Sequence, residues 1–452
     1  MSALKKFYSL PIEKIFLFLA SIFTITSLFL IPVTTVPDEG THAMAAWETF
    51  HQPIDKNAIT DFNWLQHNQN GQPFRNSRED IESKSEGAIS FRHYVNFFTH
   101  KIDLSNTKLT FSPSPFYIRY WPQALGMLVG QFVFPSYGVI LTLGRLVNAL
   151  IYIIGVYYLI KFIRRGKLAL AAVASLPMML HQAGSLSYDV ANNLIVFTFF
   201  FFIVQLSLNR IMTLKKLGLL FLITLGLALT KANNLFLLYL LLFFDMDFDK
   251  STGVLKSFYQ FFLKYRKWII CAIFSVVVVG GLLYFRKYGG VKHIVLMLMN
   301  SMLNPQLNPD INGTMFEGIF GQFGWLEVNL PLWLIFVNLV VLVIVFLGEK
   351  ASPITKMEGK AAFWVLPSQL LIIVLIMYQW ALTAIGGHLN ISIGTQGRYL
   401  TPYIVFYLFY VFSKRNIFQF DISENRLKSL VINTFLINFM MYVYLILIYY
   451  WV

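Results

Sequence analysis

The segment IFLFLASIFTITSLFLIPV, residues 15–33, carries no charged side chain. An α-helix needs about 20 such residues to cross the roughly 30 Å hydrocarbon core of a bilayer. Similar segments recur along the chain, which is 57% hydrophobic and 13% charged and has a mean hydropathy of +0.61. Because lipid offers no partners to exposed backbone N–H and C=O groups, helices must satisfy those groups internally. The sequence therefore predicts an all-α polytopic membrane protein.

The net charge of +14 does not indicate nucleic-acid binding, because the basic residues lie in short clusters between the apolar segments. Lys and Arg are enriched in the cytoplasmic loops of membrane proteins. We therefore assign these clusters to the cytoplasm: Lys5, Lys6 and Lys14, and the stretches 161–167, 210–216, 250–267, 348–360 and 413–428. The single cysteine, Cys271, excludes a disulfide within the chain.

This assignment gives about eleven spans, with the N-terminus in the cytoplasm and the C-terminus outside. The spans are approximately 15–34, 138–160, 168–186, 190–209, 217–230, 233–246, 268–286, 331–347, 361–384, 399–412 and 429–451. Two large loops, 36–137 and 287–330, then lie outside. The Asn, Pro and Gly content of the second loop predicts irregular backbone, with an interfacial helix near 315–322.

The apolar stretch 114–135 would make a twelfth span if it also crossed the membrane. Two prolines near its start and the cluster Arg119, Tyr120 and Trp121 favour instead an interfacial helix on the outer leaflet. That position places Arg119 near the outer surface. We treat residues 1–452 as one transmembrane domain, with the long first loop inserted in it.

Charged residues follow the first span directly, in TVPDEGTHAMAAW, residues 35–47. Pro37 and two acids are typical of a helix start, because proline suits the first turn and acids suit the positive end of the helix dipole. The acids Asp38 and Glu39, with His42 one turn later, are equally candidates for a site at the membrane surface. The two interpretations are compatible, and the sequence leaves both open.

Further polar residues reach the outer side under the same topology. Tyr188 and Asp189 follow the third span, Lys231 lies in TKANN, and Arg398 and Tyr399 lie in TQGRY. Lone basic residues are unusual in outer loops, and charged groups near the bilayer often mark a binding site. Cations can hold a phosphate and stabilise its charge as it leaves. A carboxylate can accept a proton from the incoming nucleophile.

Each of these residues also has a structural interpretation. Lys231 and Arg398 could extend to the lipid headgroups, and Asp189 could cap a helix. A single histidine such as His42 is more often structural than catalytic. Gly397 leaves room for close approach of a ligand to the backbone. The sequence has no tight His, Cys and Asp cluster of the kind that binds zinc.

The order of these motifs resembles the GT-C superfamily of integral-membrane glycosyltransferases. The motifs are PDEGTH, PFYIRYWPQALGMLVGQ, GRLVNALIY, SYD, LTKANN and TQGRYLTP. Within that superfamily the chain is similar to a bacterial family of membrane proteins of unknown function. That family typically has an Asp-Glu pair followed by His after the first span and Gln-Gly-Arg-Tyr near the end. The resemblance covers nearly the whole chain.

The resemblance implies a bacterial cell-membrane enzyme that moves a sugar from a polyprenyl-phosphate donor on the outer face, usually with inversion. Asp38 would be the catalytic base beside Glu39, and Asp189 would belong to the site. Lys231 and Arg398 would bind the lipid phosphate. The acceptor would be a polysaccharide, a teichoic acid or a lipid-linked glycan, recognised by the outer loops. Some relatives use a divalent cation at such acids, so a cation is a further option here.

The candidate site therefore has two groups of residues: catalytic Asp38 and Glu39, and substrate-binding His42, Arg119, Tyr188, Asp189, Lys231, Arg398 and Tyr399. The main alternative is a transporter or flippase of lipid-linked sugars. It would need polar groups near the middle of the membrane and a route to the inner face. A non-catalytic membrane protein of envelope assembly is the third interpretation.

Overall fold

A computed structural model of the protein describes residues 3–33, 35–52, 95, 97–102, 104, 107–111, 115–249, 252–286, 288–385, 389–417 and 421–452. Residues 53–94 of the predicted first outer loop lie outside these ranges. The helices are α1 (Ala3–Ser9), α2 (Ile12–Leu30), α3 (Glu39–Trp47), α4 (Pro115–Ile118), α5 (Trp121–Val133), α6 (Tyr137–Phe162), α7 (Lys167–Ala174), α8 (Pro177–Ala183), α9 (Asp189–Leu208), α10 (Leu214–Thr230), α11 (Gly253–Arg286), α12 (Gly290–Leu303), α13 (Gly318–Phe320), α14 (Leu332–Gly348), α15 (Lys356–Phe363), α16 (Val365–Ile385), α17 (Tyr407–Ser413) and α18 (Glu424–Tyr450).

Short turns and strands connect these helices. The 3₁₀ segments are Ala232–Leu242, Pro309–Ile311, Gly397–Tyr399 and Thr401–Phe406, and a π-helical turn covers Asn312–Glu317. The strands of the described chain pair two by two: β1 (Ile211–Met212) is parallel to β2 (Asp247–Phe248), and β3 (Gln322–Phe323) is antiparallel to β4 (Val328–Asn329). These pairs are too small to form a sheet core, so the prediction of an all-α protein is confirmed.

Among the described residues, 6 helices are long and apolar enough to cross a membrane: Ile12–Leu30, Tyr137–Phe162, Asp189–Leu208, Leu255–Arg286, Lys356–Ala384 and Glu424–Tyr450. Shorter apolar helices cover Ala232–Leu242, Gly290–Leu303, Leu332–Gly348 and Thr401–Ser413. The protein is therefore embedded in a membrane. The count of about eleven spans and their orientation stay predictions.

The chain forms two compact units. Unit 1 contains Met1–Thr198, Phe320–Glu349 and Phe420–Val452. Unit 2 contains Phe199–Ile319 and Lys350–Gln419.

Unit 1 is a helical bundle in which α2 packs against α6 and α18, and α14 packs against α18. The predicted span 168–186 is divided here into α7 and α8, with a break at Ser175 and Leu176. Proline has no backbone N–H and its ring clashes with the preceding turn, so Pro177 begins a new helix. Apart from Lys167, both helices are buried along their whole length. Helix α8 leads directly into the loop 184–188, which ends at Asp189, the first residue of α9.

The stretch 114–135 forms α4 and α5, and α5 packs closely along α6. A Cβ atom built on Gly126 would lie 2.2 Å from the carbonyl oxygen of Leu143, and one on Gly130 would lie 2.7 Å from the Cα of Ile140. The two helices are therefore antiparallel and touch through a small-xxx-small motif, which allows backbones to approach. Ser136 begins α6 by accepting a hydrogen bond from the Val139 N–H. This antiparallel pairing fixes α5 beside the start of α6.

We predict that Gly126→Ala lowers the thermal unfolding midpoint of the purified full-length protein. The new methyl group would collide with backbone that cannot rotate away, and overpacking of this kind typically costs about 1–3 kcal/mol. Gly280→Ala is the matched control, because nothing lies within 4 Å of its added Cβ and alanine favours a helix over glycine. An unchanged midpoint in Gly126→Ala would show that α5 and α6 do not pack this closely.

Unit 2 corrects the prediction for the loop 287–330. Residues Gly290–Leu303 form the apolar helix α12 rather than irregular backbone. The inner face of α12, with Ile294 and Met297, packs against Val374 and Tyr378 of α16. The predicted helix near 315–322 coincides in part with the π-helical turn Asn312–Glu317 and the short helix α13, which strand β3 follows. Its position at the membrane interface stays a prediction. The prediction of irregular backbone was wrong because it rested on the Asn and Pro residues of the loop. These residues lie mainly after α12.

Candidate functional site

Asp38 begins helix α3 in an unusual conformation. Its φ and ψ are 60° and 11°, in the left-handed region, and its side chain makes no capping hydrogen bond. An N-cap residue is normally extended and binds the helix N–H groups through its side chain. Here the backbone carbonyl of Asp38 accepts the first helical bond, from the His42 N–H at 2.9 Å. The exposed carboxylate is thus not used as the helix cap, although the predicted helix start is present.

Positive φ is uncommon outside glycine, and Asp is among the residues that tolerate it best. Within the described part of the chain, Asp38 shares this property with Leu326 alone among non-glycine residues. Such conformations cost on the order of 1–3 kcal/mol and tend to occur at functional sites. The backbone at Asp38 therefore adds an independent reason to place a site here.

Glu39 is buried and forms an ion pair with Arg145 of α6, which is also fully buried. The Arg145 Nε donates to Glu39 Oε1 at 2.7 Å, and its Nη2 donates to Glu39 Oε2. The same guanidinium donates to the carbonyl oxygens of Ile31 at 2.9 Å and Pro32 at 3.0 Å. Glu39 also accepts a hydrogen bond from the Leu186 N–H at 3.1 Å. This pair joins the end of α2, the start of α3, helix α6 and the loop 184–188.

Two further buried amides hold the loop 184–188. The Gln123 Nε2 of α5 donates to the Ser187 carbonyl at 2.9 Å, and the Asn148 Nδ2 of α6 donates to the Ser185 carbonyl at 2.7 Å. These residues were not among the sequence-predicted site residues. The sequence nevertheless contained a signal for both, because a polar side chain inside an apolar helix usually has a specific role.

His42, Tyr120 and Tyr188 pack together beside Asp38. The His42 Nδ1 lies 2.9 Å from the Tyr120 hydroxyl, and the Tyr188 ring lies 5.4 Å from the His42 ring and 5.5 Å from the Tyr120 ring, centroid to centroid. The Arg119 guanidinium carbon lies 4.1 Å from the centre of the Tyr188 ring, in the range of a cation–π contact. Three of the predicted site residues, His42, Arg119 and Tyr188, thus belong to one cluster beside Asp38. Tyr120 belongs to it as well and was not among the predicted site residues.

The charges of this cluster act on Tyr120. Burial raises the pKa of the Tyr120 phenol above its ordinary value, the charge of Arg119 opposes this shift, and the charges of Tyr188, Asp189 and Asp38 add to it. The phenol is therefore protonated at neutral pH and can exchange a hydrogen bond with His42. The charges of Asp38 and Asp189 thus act on the same hydroxyl.

Asp189 is the first residue of α9 and is 3% exposed. The Gln182 Nε2 donates to its Oδ2 at 3.1 Å, and the Asp189 N–H donates to the Ser187 hydroxyl at 3.2 Å. Unit 1 thus gathers six of the sequence-predicted site residues: Asp38, Glu39, His42, Arg119, Tyr188 and Asp189. Among the described residues, no group of three His, Cys, Asp or Glu side chains has metal-binding geometry.

The other three predicted residues meet in unit 2. The Lys231 Nζ lies 4.2 Å from the centre of the Tyr399 ring, and the Arg398 guanidinium carbon lies 5.2 Å from it. The Arg398 Nη2 donates to the Tyr399 hydroxyl at 3.3 Å. Two cations therefore share one aromatic ring, with Arg398 only 2% exposed. We call Lys231 and Arg398 the cation pair; the ring that they share is that of Tyr399.

The predicted role of Gly397 in ligand access is wrong. A Cβ atom at Gly397 would lie 2.1 Å from the Met315 carbonyl oxygen and 2.5 Å from the Ile319 nitrogen. The chain's own backbone therefore occupies the space that the missing side chain leaves. The Thr401 hydroxyl donates to the Ile319 carbonyl at 2.9 Å and fixes the same contact. Gly397 serves packing, and it holds Arg398 in place.

A polar network lies directly after Lys231 in the chain. The Asn233 Nδ2 donates to Gln369 Oε1 at 2.8 Å and to the Tyr403 hydroxyl at 3.3 Å, and the Tyr403 hydroxyl donates to Asn234 Oδ1. The two asparagines directly follow Lys231 and Ala232 in the chain. The network therefore joins the TKANN segment to the segment that carries Arg398.

Comparison with protein-family models gives one match, described as "Predicted membrane protein (DUF2142)", over residues 19–407. The match includes all nine sequence-predicted site residues. No curated protein and no solved structure matches the chain.

Proposed function

The chain belongs to the DUF2142 family of predicted membrane proteins, and on that premise we propose that it is a membrane glycosyltransferase of the GT-C type. In this proposal it moves a sugar from a polyprenyl-phosphate donor to an envelope glycan at the outer face of a bacterial cell membrane. The single observation that carries the proposal is the exposed, left-handed Asp38 beside His42, Tyr120 and Arg119 in unit 1. A cluster of acids and aromatic rings with one cation suits a sugar and its acceptor.

The proposed reaction is a single displacement at the anomeric carbon. Asp38 accepts the proton of an acceptor hydroxyl while the hydroxyl oxygen forms a bond to that carbon. The bond from the anomeric carbon to the phosphate oxygen breaks, and the lipid phosphate leaves with the electron pair. Attack from the opposite face inverts the anomeric configuration. Because phosphate leaves as a stable anion, no general acid is required.

Glu39 has a positioning role in this proposal. Both of its oxygens bind Arg145 and one also binds the Leu186 N–H, so its carboxylate is fully engaged in holding the chain. We therefore assign proton transfer to Asp38 alone. Asp189, held by Gln182, is assigned to the sugar or the acceptor.

Considering unit 2 by itself, we propose that its cation pair binds a lipid phosphate. Arg398 and Lys231 offer charge-assisted hydrogen bonds, which are the strongest kind for phosphate. Lys231→Gln and Arg398→Gln should each weaken donor binding by on the order of tenfold or more, because a hydrogen bond to a charged group contributes about 1.5–3 kcal/mol. Titration of each purified variant with a polyprenyl-phosphate sugar, followed by intrinsic fluorescence, measures the Kd.

Lys215→Gln is the matched control, since Lys215 is an exposed lysine near the opposite end of helix α10. It should bind the donor as the wild type does. Equal Kd values for the wild type, Lys231→Gln and Arg398→Gln would mean that the two cations do not bind the donor, and the assignment of the phosphate would fail.

Transport of a lipid-linked sugar is the second candidate, and one observation favours it. A small cavity inside unit 1 is lined by Ser175, Asn338, Thr434 and Asn438 among apolar residues. The two asparagines, however, bind each other: Asn338 donates to Asn438 at 2.9 Å and Asn438 donates back at 2.7 Å. Polar pairs of this kind stabilise helix packing in membranes. We therefore rank transport below transfer.

A further inference from the structure

Helix α11 is too long for a simple span. It covers Gly253–Arg286, which is 34 residues or about 51 Å at 1.5 Å per residue. The hydrocarbon core is only about 30 Å thick. Residues 268–285 carry no charge, whereas the preceding turns carry Lys256, Lys264, Arg266 and Lys267. The first part of α11, residues 253–267, therefore extends beyond the hydrocarbon.

Residues 253–267 present two separate exposed faces, whose centres lie about 130° apart around the helix. At 100° per residue, Lys256, Lys264 and Lys267 fall within about 80° on one side, and all three are exposed. Phe258, Phe261 and Tyr265 fall within about 60° on the other side, where they are 71%, 57% and 39% exposed. The segment is thus amphipathic, with a basic face and an aromatic face.

A third side of the segment is fixed to unit 2. The Tyr259 hydroxyl donates to the Phe244 carbonyl at 2.8 Å, and the Arg266 Nη1 lies 3.7 Å from Asp245 Oδ1. These contacts use neither the three lysines nor the three exposed aromatic rings. These contacts therefore anchor the segment in one orientation. Its basic face and its aromatic face take no part in them.

The charge of the helix points to the occupant. From residue 253 to residue 286 the sequence contains no Asp or Glu. A basic cluster directly beside a membrane span binds anionic lipid headgroups, with a contribution near the surface equivalent to about a fivefold gain in affinity per Lys or Arg. Aromatic rings opposite a basic face enter the boundary between headgroups and acyl chains. A tilted α11 would bring both faces to that boundary.

We propose that residues 253–267 form a binding surface for anionic lipid headgroups on the side of the membrane where the basic loops lie. Lys256, Lys264 and Lys267 bind the headgroup phosphates. Phe258, Phe261 and Tyr265 face the boundary between the headgroups and the acyl chains. This surface belongs to unit 2 and is independent of the proposed transferase activity.

The test measures lipid binding by native mass spectrometry of the full-length protein in detergent, with phosphatidylglycerol or phosphatidylcholine added. The wild type should bind phosphatidylglycerol more tightly. Lys256→Gln/Lys264→Gln/Lys267→Gln should lose on the order of tenfold or more of that preference, and Lys256→Arg/Lys264→Arg/Lys267→Arg should keep it. Raising the salt concentration should also reduce the preference, because ions screen exposed charges.

The charge-matched control is Lys101→Gln/Lys108→Gln/Lys292→Gln, which removes three exposed lysines of the two predicted outer loops. It should keep the wild-type preference for phosphatidylglycerol. An unchanged preference in the first glutamine variant would overturn the proposal, as would an equal loss in the control. If the first glutamine variant lost a co-purified acidic protein but kept its lipid preference, the proposal would also be overturned, in favour of a protein partner.

Discussion

Asp38→Asn should lower the rate of sugar transfer by about 10²- to 10⁴-fold, the usual contribution of a positioned general base. Asparagine has nearly the same shape as aspartate and also tolerates the left-handed backbone, but its amide does not accept a proton. The rate is measured with the purified protein, a polyprenyl-phosphate sugar and an envelope glycan fraction. Folding is checked through the thermal unfolding midpoint, which should remain unchanged.

Glu48→Gln is the matched control for this experiment. Glu48 follows the same helix and accepts a hydrogen bond from the Tyr117 hydroxyl at 2.7 Å, which raises the pKa of Tyr117 to about 12. A glutamine keeps the acceptor, so transfer should continue. A folded Asp38→Asn protein that transfers sugar at the wild-type rate would remove the proposed base from the mechanism.

Arg145→Met should destabilise the protein by about 3–5 kcal/mol, because it leaves the buried Glu39 carboxylate without its cation. The change also removes the donors to the carbonyl groups of Ile31 and Pro32. Thermal or denaturant unfolding of the purified protein measures the effect. Arg164→Met, at an exposed position, should change stability by no more than about 0.5 kcal/mol.

The double variant Glu39→Met/Arg145→Met separates the ion pair from its two residues. It should be more stable than the sum of the single changes predicts, by about 0.5–3 kcal/mol, because neither charge is left buried alone. Strictly additive losses would show that Glu39 and Arg145 do not interact in the folded protein. The loop 184–188 would then need another support.

Hydropathy alone predicts the all-α membrane class, because long uncharged segments admit no other structure in lipid. The helix start after Pro37 is equally local, and α3 begins at Glu39 as expected. Helix α12 was not predicted, because the interpretation of 287–330 rested on the Asn and Pro residues that follow this helix. The division of α7 from α8 does have a local signal, which is Pro177.

The site was harder to predict, because side-chain partners depend on how each helix is rotated. The sequence placed Asp38, Asp189 and Lys231 near loop ends, but it could not pair Glu39 with Arg145, which lies in the next long helix. Nor could it assign Gln123 and Asn148 to the loop 184–188. The partner of Gly397 was also invisible, since a glycine can accommodate a ligand or another backbone equally well.

The central claim is tested most directly in proteoliposomes that contain the protein and a radiolabelled polyprenyl-phosphate sugar, with an acceptor glycan outside. The experiment follows where the labelled sugar and the polyprenyl phosphate go. We predict that free polyprenyl phosphate accumulates in step with labelled glycan, and that Asp38→Asn abolishes both. Intact donor that moves to the opposite leaflet, with no release of polyprenyl phosphate, would contradict the proposal and establish transport instead.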